Sequence, residues 1–112
     1  MLLIESENMQ GKVETQIEVT KDNVVFIVKV PNMSAKNLSV KVEYDILVIN
    51  GRKNTVVKST GEKRVYTFEQ AFNLSEFGLS DVAKSKAVFN DGTLTVTIPA
   101  SLKDIIEIPV ES

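Results

Sequence analysis

The chain has 112 residues, 43% hydrophobic and 25% charged, with 13 Lys and Arg against 15 Asp and Glu. That length suits one domain with one core, and a net charge of −2 argues against nucleic acid, whose phosphates normally call for a basic patch. With no Cys and no His there is no disulfide framework and no thiol chemistry, and the commonest general base and transition-metal ligand are missing. An enzyme is therefore the least expected class, and no cofactor is expected.

In chain order, the first twelve residues carry an apolar cluster, Leu2, Leu3 and Ile4, followed by polar residues and Gly11. The cluster reads either as part of a disordered terminus or as a sticky arm. Met1 to Ile4 is too short for a signal peptide and lacks a basic n-region. No apolar run approaches the ~20 residues of a membrane helix. A cytoplasmic protein with no membrane partner is the expectation. Val13, Thr15, Ile17 and Val19 then alternate with Glu14, Gln16 and Glu18, which predicts a strand ending in a turn at Lys21-Asp22-Asn23. Val24 to Val30 is apolar at nearly every position, as in a strand buried on both faces or at the centre of a sandwich. Pro31-Asn32-Met33-Ser34 breaks it. Leu38, Val40 and Val42 alternate with Ser39, Lys41 and Glu43 and predict a one-sided strand. Tyr44-Asp45 reads as a tight turn, Ile46 to Ile49 as another buried strand, and Asn50-Gly51 as its end.

Residues 52–64 are polar, with Arg52, Lys53, Lys58, Lys63 and Arg64 around one apolar spot, Val56-Val57. They predict a long loop holding at most one short strand, either functional or simply solvated. From Val65 to Leu74, Tyr66, Phe68, Phe72 and Leu74 share a face interrupted by Gln70. Residues 75–85 read as a connection with one helical turn near Leu79 to Val82. Asn90-Asp91-Gly92 is a strong hairpin signal, and that turn role explains Asp91 better than a catalytic or metal-binding one. Leu94, Val96 and Ile98 then alternate with Thr93, Thr95 and Thr97. Pro99, with no N–H for a ladder, is expected to stop the strand. A polar tether, Ala100 to Asp104, leads to a second apolar alternation, Ile106, Ile108 and Val110. Seven or eight short strands with turn signals between them, and no helix-period segment of useful length, predict an all-β fold. The expected architecture is an immunoglobulin-like antiparallel β-sandwich.

Four segments carry a family resemblance. Ala87, four residues, Gly92, Thr93 and Leu94 resemble the A-x-x-x-x-G-V-L signature of the α-crystallin domain of small heat shock proteins (the Hsp20 family). Ile106-Glu107-Ile108 is similar to the family's C-terminal I-x-I motif, Phe68 to Glu76 to a strand of its bacterial members, and the strand pair around Leu47 to Arg52 to its L-x-I-x-G-x-R segment. The four occur in the family's order over roughly residues 13–110. Thr93 departs from the usual Val, Gln70 stands where many members have an Arg near the dimer contact, and an arm of about a dozen residues is very short for the family.

The resemblance implies residues 1–12 as an N-terminal arm, 13–99 as the sandwich and 100–112 as a C-terminal extension. It implies a non-enzymatic, ATP-independent chaperone, a holdase that binds partly unfolded clients and is a homo-oligomer built from dimers. Ile106 and Ile108 would anchor the tail, with Val110 offering a less favoured register because Pro109 lies between. They would enter a groove beside Leu94, Val96 and Ile98, on the side toward Leu38, Val40 and Val42. Val56, Val57, Lys58, Ser59 and Thr60 would form the dimer loop, and Leu2, Leu3 and Ile4 would touch clients. Ile106 and Ile108 also fit an ordinary last strand of their own domain. A monomeric CS-type co-chaperone shares the sandwich but would use neither tail nor loop. A carbohydrate-binding sandwich would display an aromatic platform, which 6% aromatics and no Trp do not supply.

Overall fold

The alternating segments become strands. The computed structural model describes residues 4–8, 13–79, 82–102 and 108–111. Its strands in chain order are β1 (Ile4–Asn8), β2 (Glu14–Val19), β3 (Asn23–Lys29), β4 (Leu38–Glu43), β5 (Ile46–Val56), β6 (Lys63–Asn73), β7 (Phe77–Leu79), β8 (Lys86–Asn90) and β9 (Thr93–Leu102). Two tight hairpins fall where the turn residues predict. Tyr44 and Asp45 take φ of 51° and 60°, and Asp91 and Gly92 take 50° and 77°. Positive φ at both central residues gives a turn whose twist matches that of its strands. Glu43 thereby faces Ile46, and Asn90 faces Thr93.

Two sheets result, an antiparallel sandwich as the alternation predicts. One has the order β1-β6-β5-β4, and the other runs β2-β3-β9. The far edge of β9 is shared by β8, against residues 93–97, and β7, against residues 100–102. All pairs are antiparallel except β1 with β6.

The core lies between the sheets. Val24, Phe26 and Val28 of β3 and Leu94, Val96 and Ile98 of β9 meet Leu47, Ile49 and Phe68 of the other sheet, all buried. Phe26 and Phe72 meet across the gap with ring centroids 4.9 Å apart and planes tilted by 41°, within the range of favourable aromatic pairs. Gly51 faces Phe68 on the neighbouring strand. A Cβ there would sit 2.7 Å from Phe68 Cδ1 and 2.8 Å from the Met33 sulfur. The glycine makes room for the ring and the thioether that close this end of the core.

Four expectations are corrected. Residues 52–64 are not a long loop. Residues 52–56 continue β5, residues 63–64 open β6, and pairing runs out to Val56 opposite Lys63. Main-chain bonding carries the ribbon on where no apolar face is buried, which is why alternation gives no signal there. Val56 ends a strand, and Val57 to Thr60 lie in the tip, where the Val57 carbonyl accepts from the Gly61 N–H at 2.8 Å. No separate short strand forms. Second, the reading of Leu2, Leu3 and Ile4 as part of a disordered terminus fails at Ile4. Ile4 opens β1, opposite Lys63, while Leu2 and Leu3 lie outside the described residues. Third, residues 75–85 hold a strand as well as a helical turn: β7, then a 3-10 turn at Val82–Lys84.

Fourth, the strand does not stop at Pro99. The Ala100 N–H donates to the Asp22 carbonyl at 3.0 Å, so even-numbered residues of β9 address β3 and Pro99 addresses the other edge. On that edge β8 has ended at the pair Lys86–Thr97, and β7 pairs only from Ala100 on. The proline nitrogen falls in the gap between the two short strands, where no ladder bond is needed. Ala100 is 2% exposed. Ala100 to Leu102 therefore belong to the sheet and not to a tether.

Candidate functional site

β4 borders one sheet and β8 the other, and both borders fall on the same side of the sandwich. Between them runs an open groove of about 250 Å³. β4 contributes Val40, Lys41 and Val42, the segment leading into β8 contributes Val82 and Ser85, and β8 itself contributes Lys86 and Ala87. Leu47 of β5 with Val96 and Ile98 of β9 also line it, and these three are at most 2% exposed. The floor is thus continuous with the core, and the lining is mostly apolar. Lys41 is exposed and pairs with Glu43 at 3.7 Å.

Of the residues predicted for this groove, Val40, Val42, Val96 and Ile98 line it together. Leu38 and Leu94 do not. Leu38 is half-buried against the core, and Leu94, 3% exposed, is within it. Leu47 went unpredicted because a strand read as buried gives no hint that one of its residues floors a cleft. Val82 and Ser85 went unpredicted because their segment has no period to read, and Ala87 because its strand gives no local sign that it borders a cleft.

Ile108 and Val110 lie outside every strand and are 79% and 96% exposed. Neither packs into its own sandwich. Ile106 lies outside the described residues.

A second exposed feature is β2, which among the described residues pairs with β3 alone. Its inward-facing Ile17 and Val19 are 49% and 47% exposed. They lie opposite Phe26 and Val24, which are buried, so the core runs out to an uncovered edge. Gln70 ties this edge to the other sheet. It accepts a hydrogen bond from the Thr15 hydroxyl and donates to the Val13 carbonyl at 3.4 Å. The polar residue that interrupts the apolar face of β6 is thus an inter-sheet clasp. At the tip of the β5–β6 hairpin Val56 is 58% exposed, Lys58, Ser59 and Thr60 are exposed, and Val57 is half-buried.

Residues 16–111 match the model of the Hsp20/alpha crystallin family. The 17.9 kDa class II heat shock protein of Helianthus annuus is 36% identical over 84 residues, which cover 69% of this chain and 51% of that protein. The chain spans about half the length of that curated relative. Among solved structures, heat shock protein 16.0 from Schizosaccharomyces pombe superposes with a TM-score of 0.68 at 21% identity, covering 89% of this chain and 96% of that one. A small heat-shock protein from Xylella fastidiosa gives 0.63 at 21% identity, covering 89% and 96%. At such identities the structures speak for the fold alone.

Proposed function

This chain belongs to the Hsp20/alpha crystallin family, and on that premise we propose that it is a cytoplasmic, ATP-independent holdase. It binds partly unfolded proteins and is assembled from dimers through its C-terminal tail. The observation that carries the proposal is the pairing of an unfilled need with an unfilled place. Two edge strands flank an apolar groove, and the tail holds apolar residues, Ile108 among them, that stay outside their own core.

Strand recognition would hold the tail in the groove. Ile106 and Ile108 are two residues apart, so in an extended segment both side chains face the same way. They can enter the groove of another copy while the backbone runs beside an edge strand. Burying two Ile side chains contributes about 3–6 kcal/mol gross. Fixing the tail offsets a good part of that. Each docked tail is then weak, and an assembly holds because many dock at once. Weak docking lets subunits exchange, and a vacated groove can take an extended apolar segment of a client.

Replacing Ile106 and Ile108 with Ala tests the assembly. The expected variant keeps its β-sheet circular dichroism while its solution mass drops to that of a dimer. An unfolded variant would put the pair in its own domain's core, and an unchanged mass would remove the tail from assembly.

For the dimer we favour the β5–β6 hairpin, whose largely exposed tip at Val56 to Thr60 suits the β2 edge of a second copy. Because Val56 faces Lys63, residues 57–62 can be replaced by Asn-Gly without disturbing the ribbon. Folded monomers are expected from that variant. Persisting dimers would send the contact elsewhere.

A further inference from the structure

Among the described residues, one hydroxyl lines the groove, that of Ser85. Ser85 follows the 3-10 turn at Val82–Lys84 and immediately precedes β8, and its N–H donates to the Val82 carbonyl at 3.0 Å. Its hydroxyl oxygen is shut off from solvent and has no hydrogen-bond partner among the described residues. The other polar side chains lining the groove among the described residues are those of Lys41 and Lys86, and neither is hydrogen-bonded to the Ser85 hydroxyl; the remaining lining side chains offer neither donor nor acceptor. A buried hydroxyl without a partner is costly, and a ligand that brings the partner removes that cost.

An extended peptide is the ligand class that fits. It presents a main-chain N–H and C=O at every residue, between side chains that alternate in direction. When two apolar side chains spaced by two fill the groove, a main-chain group lies between them. The Ser85 hydroxyl can turn about χ1 toward it and either donate or accept.

We infer that Ser85 is a specificity residue of this groove: its hydroxyl hydrogen-bonds the main chain of an extended apolar segment seated there, namely Ile106 to Ile108 of another copy. The groove thereby distinguishes a strand from an apolar molecule of similar size. This rests on the tail-in-groove reading above.

The test uses the full chain carrying Ile106→Ala and Ile108→Ala, so that its own tails do not compete. A fluorescein-labelled peptide of residues 103–112 is titrated by anisotropy, and anilinonaphthalene sulfonate serves as an apolar probe with no main chain. Adding Ser85→Ala is expected to weaken the peptide about 2–10-fold, the range of one net hydrogen bond. Anilinonaphthalene sulfonate binding should stay unchanged, and the melting temperature should stay level or rise, because the unpaired hydroxyl is gone. Ser85→Thr should restore the peptide. Equal peptide affinity in Ser85→Ala overturns the inference, as does a loss shared with anilinonaphthalene sulfonate or accompanied by a lower melting temperature. If the peptide fails to bind even with Ser85 in place, the tail-in-groove reading falls and takes this inference with it.

Discussion

The hairpins β4–β5 and β8–β9 share a plan. Each turns through two residues at positive φ, and each supplies one central strand and one border strand. The central members are sealed: Leu47 and Ile49 are 0% exposed, and Val96 and Ile98 are 2% and 0%. The border members are not. Val40, Val42 and Phe89 are half-buried, although they point to the same interior. β4 and β9 read alike as sequence, since both alternate apolar with polar residues. A central strand has a neighbour on each side and a sheet over its face, whereas a border strand has one neighbour and ends beside water. Alternation thus tells which face turns inward, and the place in the sheet tells how far it is covered. The groove exists because the two uncovered borders lie together.

Ile98→Ala removes a sealed side chain and should cost about 2–5 kcal/mol, the range for large-to-small core changes. Val42→Ala removes methyls already half in water and should cost about 1 kcal/mol. Urea denaturation of the two variants checks this. Equal losses would mean that β4 is as covered as β9 and that the groove is no opening.

Gly51→Ala sharpens the central side. Its methyl would overlap the Phe68 ring edge and approach the Met33 sulfur at 2.8 Å. Overpacking of this kind typically costs 1–3 kcal/mol. Adding Phe68→Leu frees the space, so the double variant should lose less stability than the sum of the two single changes. Additive losses would show that the ring does not depend on the glycine.

How much was legible follows from the same distinction. The turns at 44–45 and 91–92, the strands they join, and four groove residues were legible because their signals are local: positive-φ residues and a period of two. What failed depends on partners distant in sequence. Pro99 was misread because only the gap between β7 and β8 makes its missing N–H harmless. Residues 52–56 and 63–64 were misread because a ribbon that leaves the sandwich needs backbone pairing but no apolar face. β1 was missed because its partner, residues 63–67, lies more than fifty positions away. In the groove, Val40 and Val42 announced themselves by alternation. Ser85 did not, since nothing around it in sequence marks a residue brought to the wall by a single 3-10 turn.

The smallest effects lie in the two turns, where the hairpins differ in chemistry. Gly92 adopts φ +77° without steric penalty, and a Cβ there would have room, its nearest neighbour being the Val30 carbonyl oxygen at 3.7 Å. Gly92→Ala should therefore cost about 1 kcal/mol from backbone conformation alone. Tyr44 already bears that kind of cost. It holds φ at 51° with a bulky side chain that is 90% exposed, so no packing offsets the strain. Asn tolerates the left-handed region and is favoured in such turns. Tyr44→Asn should raise stability by about 0.5–1 kcal/mol, measured as a higher urea midpoint at unchanged slope. A loss in both variants would mean that Tyr44 makes a contact its exposure conceals. A gain for Tyr44→Asn beside a loss for Gly92→Ala would show one backbone geometry served by a well-suited residue in the hairpin that carries β8 and by a strained one in the hairpin that carries β4.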